Sequence, residues 1–297
     1  MNGFFNVLKP PGMTSSQVVG AVRRLISGEK AGHAGTLDPQ AAGILPVMAG
    51  RAARLFDYLV DKRKTYVAEI AFGAATDTQD AQGRVTVKGD QYPSLQDVQA
   101  VLPMFLGEIL QAPPSFSAIK QDGRRLYELA RKGEMVAAEP RTILVEEISL
   151  GRETDNHGMM LTIRCGKGTY VRTLCHDIGR AVGCPAHMRF LLRTQSGAFS
   201  LDTAYTLEEL QKAKDEDRLN ECLLAMDMPL EHLYRVDVPG VLANICRNGG
   251  AMRLSAFENM DQTAENVPLR VYLNDAFMGI ACRQGSSIVF RAVVGAV

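Results

Sequence analysis

The stretch that decides the fold runs from residue 32 to residue 46 and reads GHAGTLDPQAAGILP. It places one carboxylate, Asp38, among glycines, small residues and prolines. Glycine accepts backbone conformations that other residues resist, and Pro39 fixes its own φ and biases Asp38 towards an extended conformation. The pattern predicts a stiff loop that presents a single acid at a defined angle. No Lys or Arg lies between Lys30 and Arg51, so a cation that pairs with Asp38 must come from elsewhere in the fold.

The composition is that of an ordinary globular protein, because 46% of the 297 residues are hydrophobic and 22% are charged. The length suffices for one large domain and a small one. Charge is unevenly divided: residues 1–200 carry 24 Lys or Arg and 19 Asp or Glu, whereas residues 201–297 carry nine and 14. The excess of basic residues over residues 1–200 is consistent with contact to phosphates, and an ordinary solvated charged surface explains the same charge counts equally well.

Targeting and metal signals are missing from the sequence. No basic N-terminal segment leads into an apolar run, and no uncharged stretch reaches membrane-spanning length, so we expect a cytoplasmic protein without membrane contact. The six cysteines form no C-x-x-C pair and the five histidines have no H-x-x-x-H spacing, so we expect reduced cysteines and no metal. Cys175 and His176 are adjacent, but sequence neighbours rarely have the geometry of a Cys/His nucleophile.

Strand and helix patterns mix without regular βαβ alternation, which predicts an α+β fold around a largely antiparallel sheet flanked by helices. After Pro229 the pattern changes to short strands with a hairpin turn at Asn274-Asp275. We therefore expect a main domain over residues 1–228 and a small β-domain over residues 229–297. Strands are predicted near residues 4–8, 65–72, 142–150, 159–165, 188–192, 251–255, 269–273, 276–282 and 287–293. Helices are predicted near residues 18–26, 51–61, 98–105 and 126–131, and after Arg172.

The glycine-rich window closely resembles the active-site motif of the TruB-type tRNA pseudouridine-55 synthases, a family that converts a uridine in the T-loop of tRNA to pseudouridine. One departure is Ala42, which stands where the family often has Thr. The resemblance covers most of residues 1–200 and implies a pseudouridine-synthase-like catalytic domain followed by a PUA-like RNA-binding β-domain. Three further segments match the family in its order: KRKTY at 62–66, GKGTYVRTL at 166–174 and AHMRFLLRT at 186–194.

The resemblance implies roles for four residues at the centre of the chemistry. Asp38 is the expected catalytic aspartate, and His33 is expected to contact the RNA loop. Arg172 is expected to pair with the Asp38 carboxylate and keep it ionised, since a nearby guanidinium typically lowers an aspartate pKa by about 1–3 units. Tyr66 is expected to stand against the target base, where a tyrosine can stack on an extruded base or serve a proton transfer.

Four further residues take supporting roles by the same resemblance, and a fifth, Lys64, is singled out by its charge. Tyr170 is expected to help line the uridine site, and Leu191 to pack on the uracil. Asp80 is expected to organise this region, and Lys9 to buttress the active site. Lys64 ends a basic run that could meet RNA phosphates. These residue types also have purely structural interpretations, such as a core tyrosine, a turn aspartate, a surface ion pair or a core leucine.

The chemistry implied by the resemblance makes a carboxylate necessary. Pseudouridine formation breaks an N-glycosidic bond, rotates the uracil and rejoins it through carbon, so it needs an acid near the sugar and a pocket that holds the free base. The target uridine must also be flipped out of its stack, which costs a few kcal/mol. Asp38 meets that need without a metal or organic cofactor. Attack on the sugar and abstraction of a proton by Asp38 are both compatible with the sequence.

Two other classes of function fit parts of the sequence. The basic body and the small C-terminal domain also suit a non-catalytic tRNA-binding or tRNA-folding protein. An ordinary glycosidase ranks last because a second well-placed carboxylate motif is missing. The favoured interpretation is a monomeric tRNA pseudouridine synthase that binds the T-stem-loop.

Overall fold

The computed structural model describes residues 1–59, 63–114, 120–121, 124–125, 139–257 and 263–295. The α-helices are α1 (Ser15–Leu25), α2 (Leu95–Val101), α3 (Val171–Ala181), α4 (Leu207–Asp215) and α5 (Ala243–Arg247). The strands are β1 (Gly3–Lys9), β2 (Ala31–His33), β3 (Ala42–Ala49), β4 (Lys64–Phe72), β5 (Ala74–Thr76), β6 (Val85–Lys88), β7 (Gly107–Gln111), β8 (Lys120–Gln121), β9 (Arg124–Arg125), β10 (Arg141–Thr154), β11 (Gly158–Cys165), β12 (Ala186–Ser196), β13 (Phe199–Ser200), β14 (Tyr234–Asp237), β15 (Met252–Arg253), β16 (Leu269–Leu273), β17 (Ala276–Gln284) and β18 (Ser287–Val293).

The chain divides into two compact units. Unit 1 comprises Met1–Pro39, Ile44–Asp61 and Gly197–Val297, and unit 2 comprises Gln40–Gly43 and Lys62–Ser196. The boundary predicted near residue 228 does not coincide with this division and stays a prediction. No helix among the residues that the structure describes is both long enough and apolar enough to cross a membrane.

Unit 2 is built on an antiparallel sheet. Its strand order is β12, β4, β11, β10 and β7, and the first two residues of β3 pair with β12 in parallel. Tyr66, Ala68 and Ile70 alternate along β4 and are buried, as the period-two pattern predicted. Helix α3 packs against β12. The predicted α+β fold with a mixed, largely antiparallel sheet is confirmed.

Unit 1 contains two groups of elements, each with a core of its own, and the two groups share a third buried cluster. In the first, β1 lies beside β3, and β2 pairs with β3 in antiparallel fashion; α1 and α4 contribute to the same buried cluster. The second is a sheet in the order β14, β16, β17, β18 and β15, which confirms the predicted C-terminal β region. Asn274 and Asp275 both have positive φ, at 50° and 62°, as the two central residues of a tight hairpin turn require.

Some predicted elements differ from the observed ones. The helix predicted at 51–61 is a 3-10 helix over Gly50–Tyr58. The window at 32–46 is a loop only from residue 34 to residue 41, because β3 begins at Ala42. All but the first residue of β3 are buried, so no alternation reveals the strand, and Gly43 and Pro46 further disguise it. The helix predicted at 126–131 lies outside the described residues.

Gly43 is the residue at which β3 meets β12 most closely. Its φ is +117°, and a Cβ atom there would overlap the backbone nitrogen, carbon and oxygen of Arg193. Both the left-handed backbone and the close approach therefore require glycine.

We predict that Gly43→Ala lowers the free energy of unfolding by at least about 3 kcal/mol, because backbone strain and steric overlap add. The matched control is Gly107→Ala, where φ is +81° but a Cβ would meet open space. The control should lose only about 1–2 kcal/mol, the cost of the left-handed conformation. Denaturant unfolding followed by circular dichroism measures both values, and equal losses would contradict the proposed overlap.

Candidate active site

Asp38 lies in the loop of residues 34–41, called here the Asp38 loop, whose backbone is held by buried polar groups. Lys9, at the end of β1, is fully buried. Its Nζ donates hydrogen bonds to the carbonyl oxygens of Pro10 at 2.9 Å, Met13 at 2.6 Å and Pro39 at 2.9 Å. The Pro39 carbonyl also accepts the backbone N–H of Gly12 at 2.8 Å. The carbonyl of Pro39, the residue after Asp38, is therefore fixed from two directions.

Ser15 holds the peptide that precedes Asp38. Its hydroxyl donates to the Leu37 carbonyl at 3.0 Å and accepts the Leu37 N–H at 2.9 Å. Ser15 is buried, whereas Thr14 is the residue that caps α1 through a capping box with Gln17. The Asp38 side chain itself is half-buried. The loop thus presents the half-buried Asp38 side chain on a backbone that buried groups hold in place.

His33 ends β2 directly before the Asp38 loop. It is half-buried and pairs in register with Val47 of β3. Unit 1 therefore carries three of the predicted site residues, Lys9, His33 and Asp38, on connected backbone. Of these, Lys9 reaches the Asp38 loop directly, through its hydrogen bond to the carbonyl of Pro39.

Three side chains share one buried face of the unit 2 sheet. Tyr66 on β4 pairs in register with Arg193 on β12, and Leu191 pairs with Ala68. Residues two apart on a strand point to the same face, so Tyr66, Leu191 and Arg193 are neighbours. Tyr66 and Leu191 are 7% exposed, and Arg193 is fully buried. Lys64, at the start of β4, is half-buried.

Arg193 is a buried cation whose side chain is hydrogen-bonded to Tyr66. Burial lowers the pKa of Arg193, while the hydrogen bond and the charge interaction with Tyr66 raise it. A guanidinium of this kind needs acceptors, because an uncompensated buried charge is strongly unfavourable. Arg193 belongs to none of the roles predicted from the sequence. An arginine at an inward position of the alternating strand MRFLLRT was the signal that could have revealed it.

Arg172 lies in the first turn of α3 and is held by the loop of residues 76–84. Its side chain is buried, and Nη1 donates to the Thr78 carbonyl at 3.2 Å and lies 3.5 Å from Oδ2 of Asp80. Asp80 is itself oriented by the Thr78 hydroxyl at 2.7 Å and the Gln82 N–H at 3.0 Å. The structure therefore brings Asp80 and Arg172 together. Asp38 belongs to the other unit, so its pairing with Arg172 stays a prediction.

Tyr170 directly precedes α3 and is half-buried.

Cys175, within α3, is free and buried, and burial raises the pKa of its thiol to about 12. A thiol of that pKa is not a nucleophile near neutral pH, which removes the Cys175–His176 pair as a candidate. Across the described parts of the chain, no cluster of three or more His, Cys, Asp and Glu side chains is arranged to hold a metal ion.

Comparison with known proteins identifies the family. Residues 23–171 match the N-terminal domain of TruB family pseudouridylate synthases, and residues 172–231 match the C-terminal domain of tRNA pseudouridylate synthase B. A relative named tRNA pseudouridine synthase B from Alkaliphilus oremlandii (strain OhILAs) is 40% identical over 279 residues, which cover 94% of this chain and 92% of the relative. Another of that name, from Symbiobacterium thermophilum, is 50% identical over 217 residues, which cover 72% and 73%.

Solved structures agree with these relatives. A chain in the crystal structure of a Cbf5-Nop10-Gar1 complex has a TM-score of 0.74 and 26% identity, covering 98% of this chain and 84% of that chain. A chain of the archaeal box H/ACA sRNP Nop10-Cbf5 complex has a TM-score of 0.73 at 26% identity, covering 98% and 86%. The fold and the sequence matches together define a pseudouridylate synthase, an isomerase. The chain belongs to the TruB family of these enzymes.

We predict that Ser15→Ala destabilises the protein by about 2–3 kcal/mol, because it leaves a buried N–H and a buried carbonyl of Leu37 without the Ser15 hydroxyl. The matched control is Ser16→Ala, which makes the same change at the next residue, an exposed one. The control should change stability by less than about 0.5 kcal/mol. Equal unfolding free energies for the two variants would show that Ser15 does not hold the loop.

Proposed function

We propose that the protein converts uridine 55 in the T-loop of tRNA to pseudouridine, with Asp38 as the catalytic carboxylate. The observation that carries this proposal is the Asp38 loop, in which the backbone on both sides of one half-buried acid is held by Ser15 and Lys9. Support also comes from the relatives, whose names describe action on tRNA. A fixed acid is what glycosidic-bond chemistry without a cofactor requires.

In the proposed reaction the target uridine is first extruded from its stack. Asp38 then acts at the ribose, by attack on the sugar or by removal of a ribose proton, and the bond between C1′ and N1 breaks. The uracil rotates and forms a new bond between C5 and C1′; in the first route the bond between Asp38 and the sugar breaks as this bond forms, and in the second Asp38 returns the proton to the ribose. The C5 proton is lost and N1 gains a proton, so that the overall change is an isomerisation. Both forms of the Asp38 step lead to the same product.

The remaining site residues take supporting roles in this proposal. Tyr66, Tyr170 and Leu191 contact the base, and the buried face shared by Tyr66 and Leu191 supports an apolar wall for a detached uracil. Arg172 supports the carboxylate, and Asp80 keeps the guanidinium oriented through their ion pair. Such prior placement spares reorganisation during the reaction.

RNA binding is assigned to residues outside the chemical step. His33 contacts the T-loop and Lys64 meets a phosphate, while Lys9 acts through the Asp38 loop that it holds. We also propose that residues 229–297 form a PUA-like RNA-binding β-domain after a catalytic domain of residues 1–228. An apolar core formed by residues beyond 229 supports this division, alongside the core that the C-terminal sheet shares with β1 and β3. The protein acts as a monomer in the cytoplasm and needs no metal or organic cofactor.

The non-catalytic alternative, a tRNA-folding protein, receives no support from the relatives, which carry the names of synthases. Both classes would bind tRNA, so binding alone does not separate them. Formation of product does.

We predict that Asp38→Asn binds an unmodified tRNA transcript with wild-type affinity but forms pseudouridine more than roughly 10³-fold more slowly. The amide keeps the size of the side chain and removes the charge. Chemical probing that maps pseudouridine along the transcript measures the product, and filter binding measures affinity. A control variant, Asp90→Asn, makes the same change at an exposed position and should keep full activity. Normal turnover by Asp38→Asn would refute the catalytic assignment.

A further inference from the structure

Gln111 is a buried polar residue that the proposed function does not use. It is the last residue of β7, the outermost strand of the unit 2 sheet, and its side chain is only 3% exposed. The side-chain oxygen accepts the backbone N–H of Tyr170 at 2.8 Å. The side-chain nitrogen donates to the backbone carbonyl of Tyr170 at 3.1 Å. One amide thus bonds both polar backbone groups of a residue 59 positions away.

The start of α3 explains why such a contact is needed. Helices α1, α2 and α4 each begin with a capping box, in which the third helical residue accepts the N–H of the capping residue. In α3 the capping position is Tyr170, and the third helical residue is Thr173. The Thr173 hydroxyl donates instead to the side chain of Gln79 at 2.7 Å. Gln111, from strand β7, supplies the acceptor that the capping box supplies locally in α1, α2 and α4.

The first turn of α3 carries two of the proposed site residues. Arg172 is anchored through its guanidinium by Thr78 and Asp80. Tyr170 is anchored through its backbone by Gln111. The position of the Tyr170 backbone determines where the Tyr170 ring lies and in which direction α3 begins. The Gln111 contact therefore affects the placement of both the Tyr170 ring and the Arg172 side chain.

We propose that Gln111 is a positioning residue of the active site, which fixes the start of α3 and so places the Tyr170 ring and the Arg172 guanidinium. The inference rests on the roles proposed above for those two residues. It adds that a buried residue of the sheet edge, with no part in the proposed contacts to RNA or to the reacting atoms, controls the rate of the chemical step.

The chemistry of the contact dictates the variants that test it. A residue at position 111 must offer a donor and an acceptor side by side. Ionised glutamate offers two acceptors and sets one of them against the Tyr170 carbonyl, whereas protonated glutamate again offers one donor and one acceptor. Methionine has similar length and flexibility but cannot replace either hydrogen bond. The pH response of Gln111→Glu therefore reports on this contact and not on packing.

The experiment compares the full-length wild type, Gln111→Glu, Gln111→Met and the control Gln99→Glu. The control makes the same chemical change at an exposed position of α2. Single-turnover pseudouridine formation and the Kd for tRNA are measured from about pH 5 to about pH 8, a range that spans the titration of a glutamate whose pKa is raised by burial.

We expect both Gln111 variants to bind tRNA with little change in Kd and to form product on the order of tenfold more slowly at the highest pH. The rate of Gln111→Glu relative to wild type rises as pH falls, because protonation restores the donor. The relative rates of Gln111→Met and Gln99→Glu do not change with pH.

Two results would overturn the inference. One is a wild-type rate for Gln111→Glu throughout the pH range, and the other is a reduced rate whose ratio to wild type does not change with pH. The pH response of Gln111→Glu decides the matter even where Gln111→Met fails to fold. A wild-type protein that binds tRNA but forms no pseudouridine would instead overturn the proposed function, so the two failures are distinguishable.

Discussion

The hydrogen bond from the buried Lys9 ammonium to the Pro39 carbonyl is the contact on which the geometry of the Asp38 loop depends. Removing an ammonium group from water costs several kcal/mol, and carbonyl acceptors must offset that cost. Lys9 finds three of them, on Pro10, Met13 and Pro39. Because the acceptors come from two separate segments, satisfying one charge joins the end of β1 to the loop. Ser15 completes the arrangement on the other side of Asp38.

In unit 2 as well, hydrogen bonds between polar groups distant in sequence hold the residues of the proposed site. Arg172 donates to the Thr78 carbonyl and pairs with Asp80, Gln111 bonds the backbone of Tyr170, and Arg193 is hydrogen-bonded to Tyr66. In each case a residue proposed for the active site is held by a partner distant in sequence. Such partners restrict the orientations of the reacting groups before substrate arrives, and this prior ordering is a large part of what enzymes contribute to rate.

Local patterns predicted those elements whose burial alternates or whose turns need special residues. Strand β4 followed from its period of two, and the hairpin between β16 and β17 followed from Asn274-Asp275. The fully buried strand β3 offered no alternation, and the segment predicted as an α-helix at 51–61 adopts the tighter 3-10 form. Motif resemblance identified Asp38, Tyr66 and Arg172, which are proposed to act directly in the chemistry.

Among the residues that hold those groups, the motif resemblance pointed to Lys9 and Asp80, whereas Ser15 and Gln111 were beyond the reach of the sequence. Thr14, Ser15 and Ser16 are three consecutive residues that could cap α1. Only the fold, which brings Leu37 back to this position 22 residues later, shows that Ser15 is the one that binds it. Gln111 lies 59 residues before its partner. Such contacts depend on strand register and on loop paths, which no local periodicity encodes. A buried arginine such as Arg193 is the one class of supporting residue that the pattern of a strand can reveal.

Amide hydrogen exchange at Leu37 and Gly12, resolved by NMR on the ¹⁵N-labelled protein, tests most directly whether buried groups hold the Asp38 loop. The Leu37 N–H donates to Ser15 Oγ, and the Gly12 N–H donates to the Pro39 carbonyl. If these bonds fix the loop, both amides exchange at least about 10³-fold more slowly than an unstructured peptide, as amides of the buried strands do. Exchange at the rate of an exposed, unbonded loop would contradict this account of how the chain presents its carboxylate.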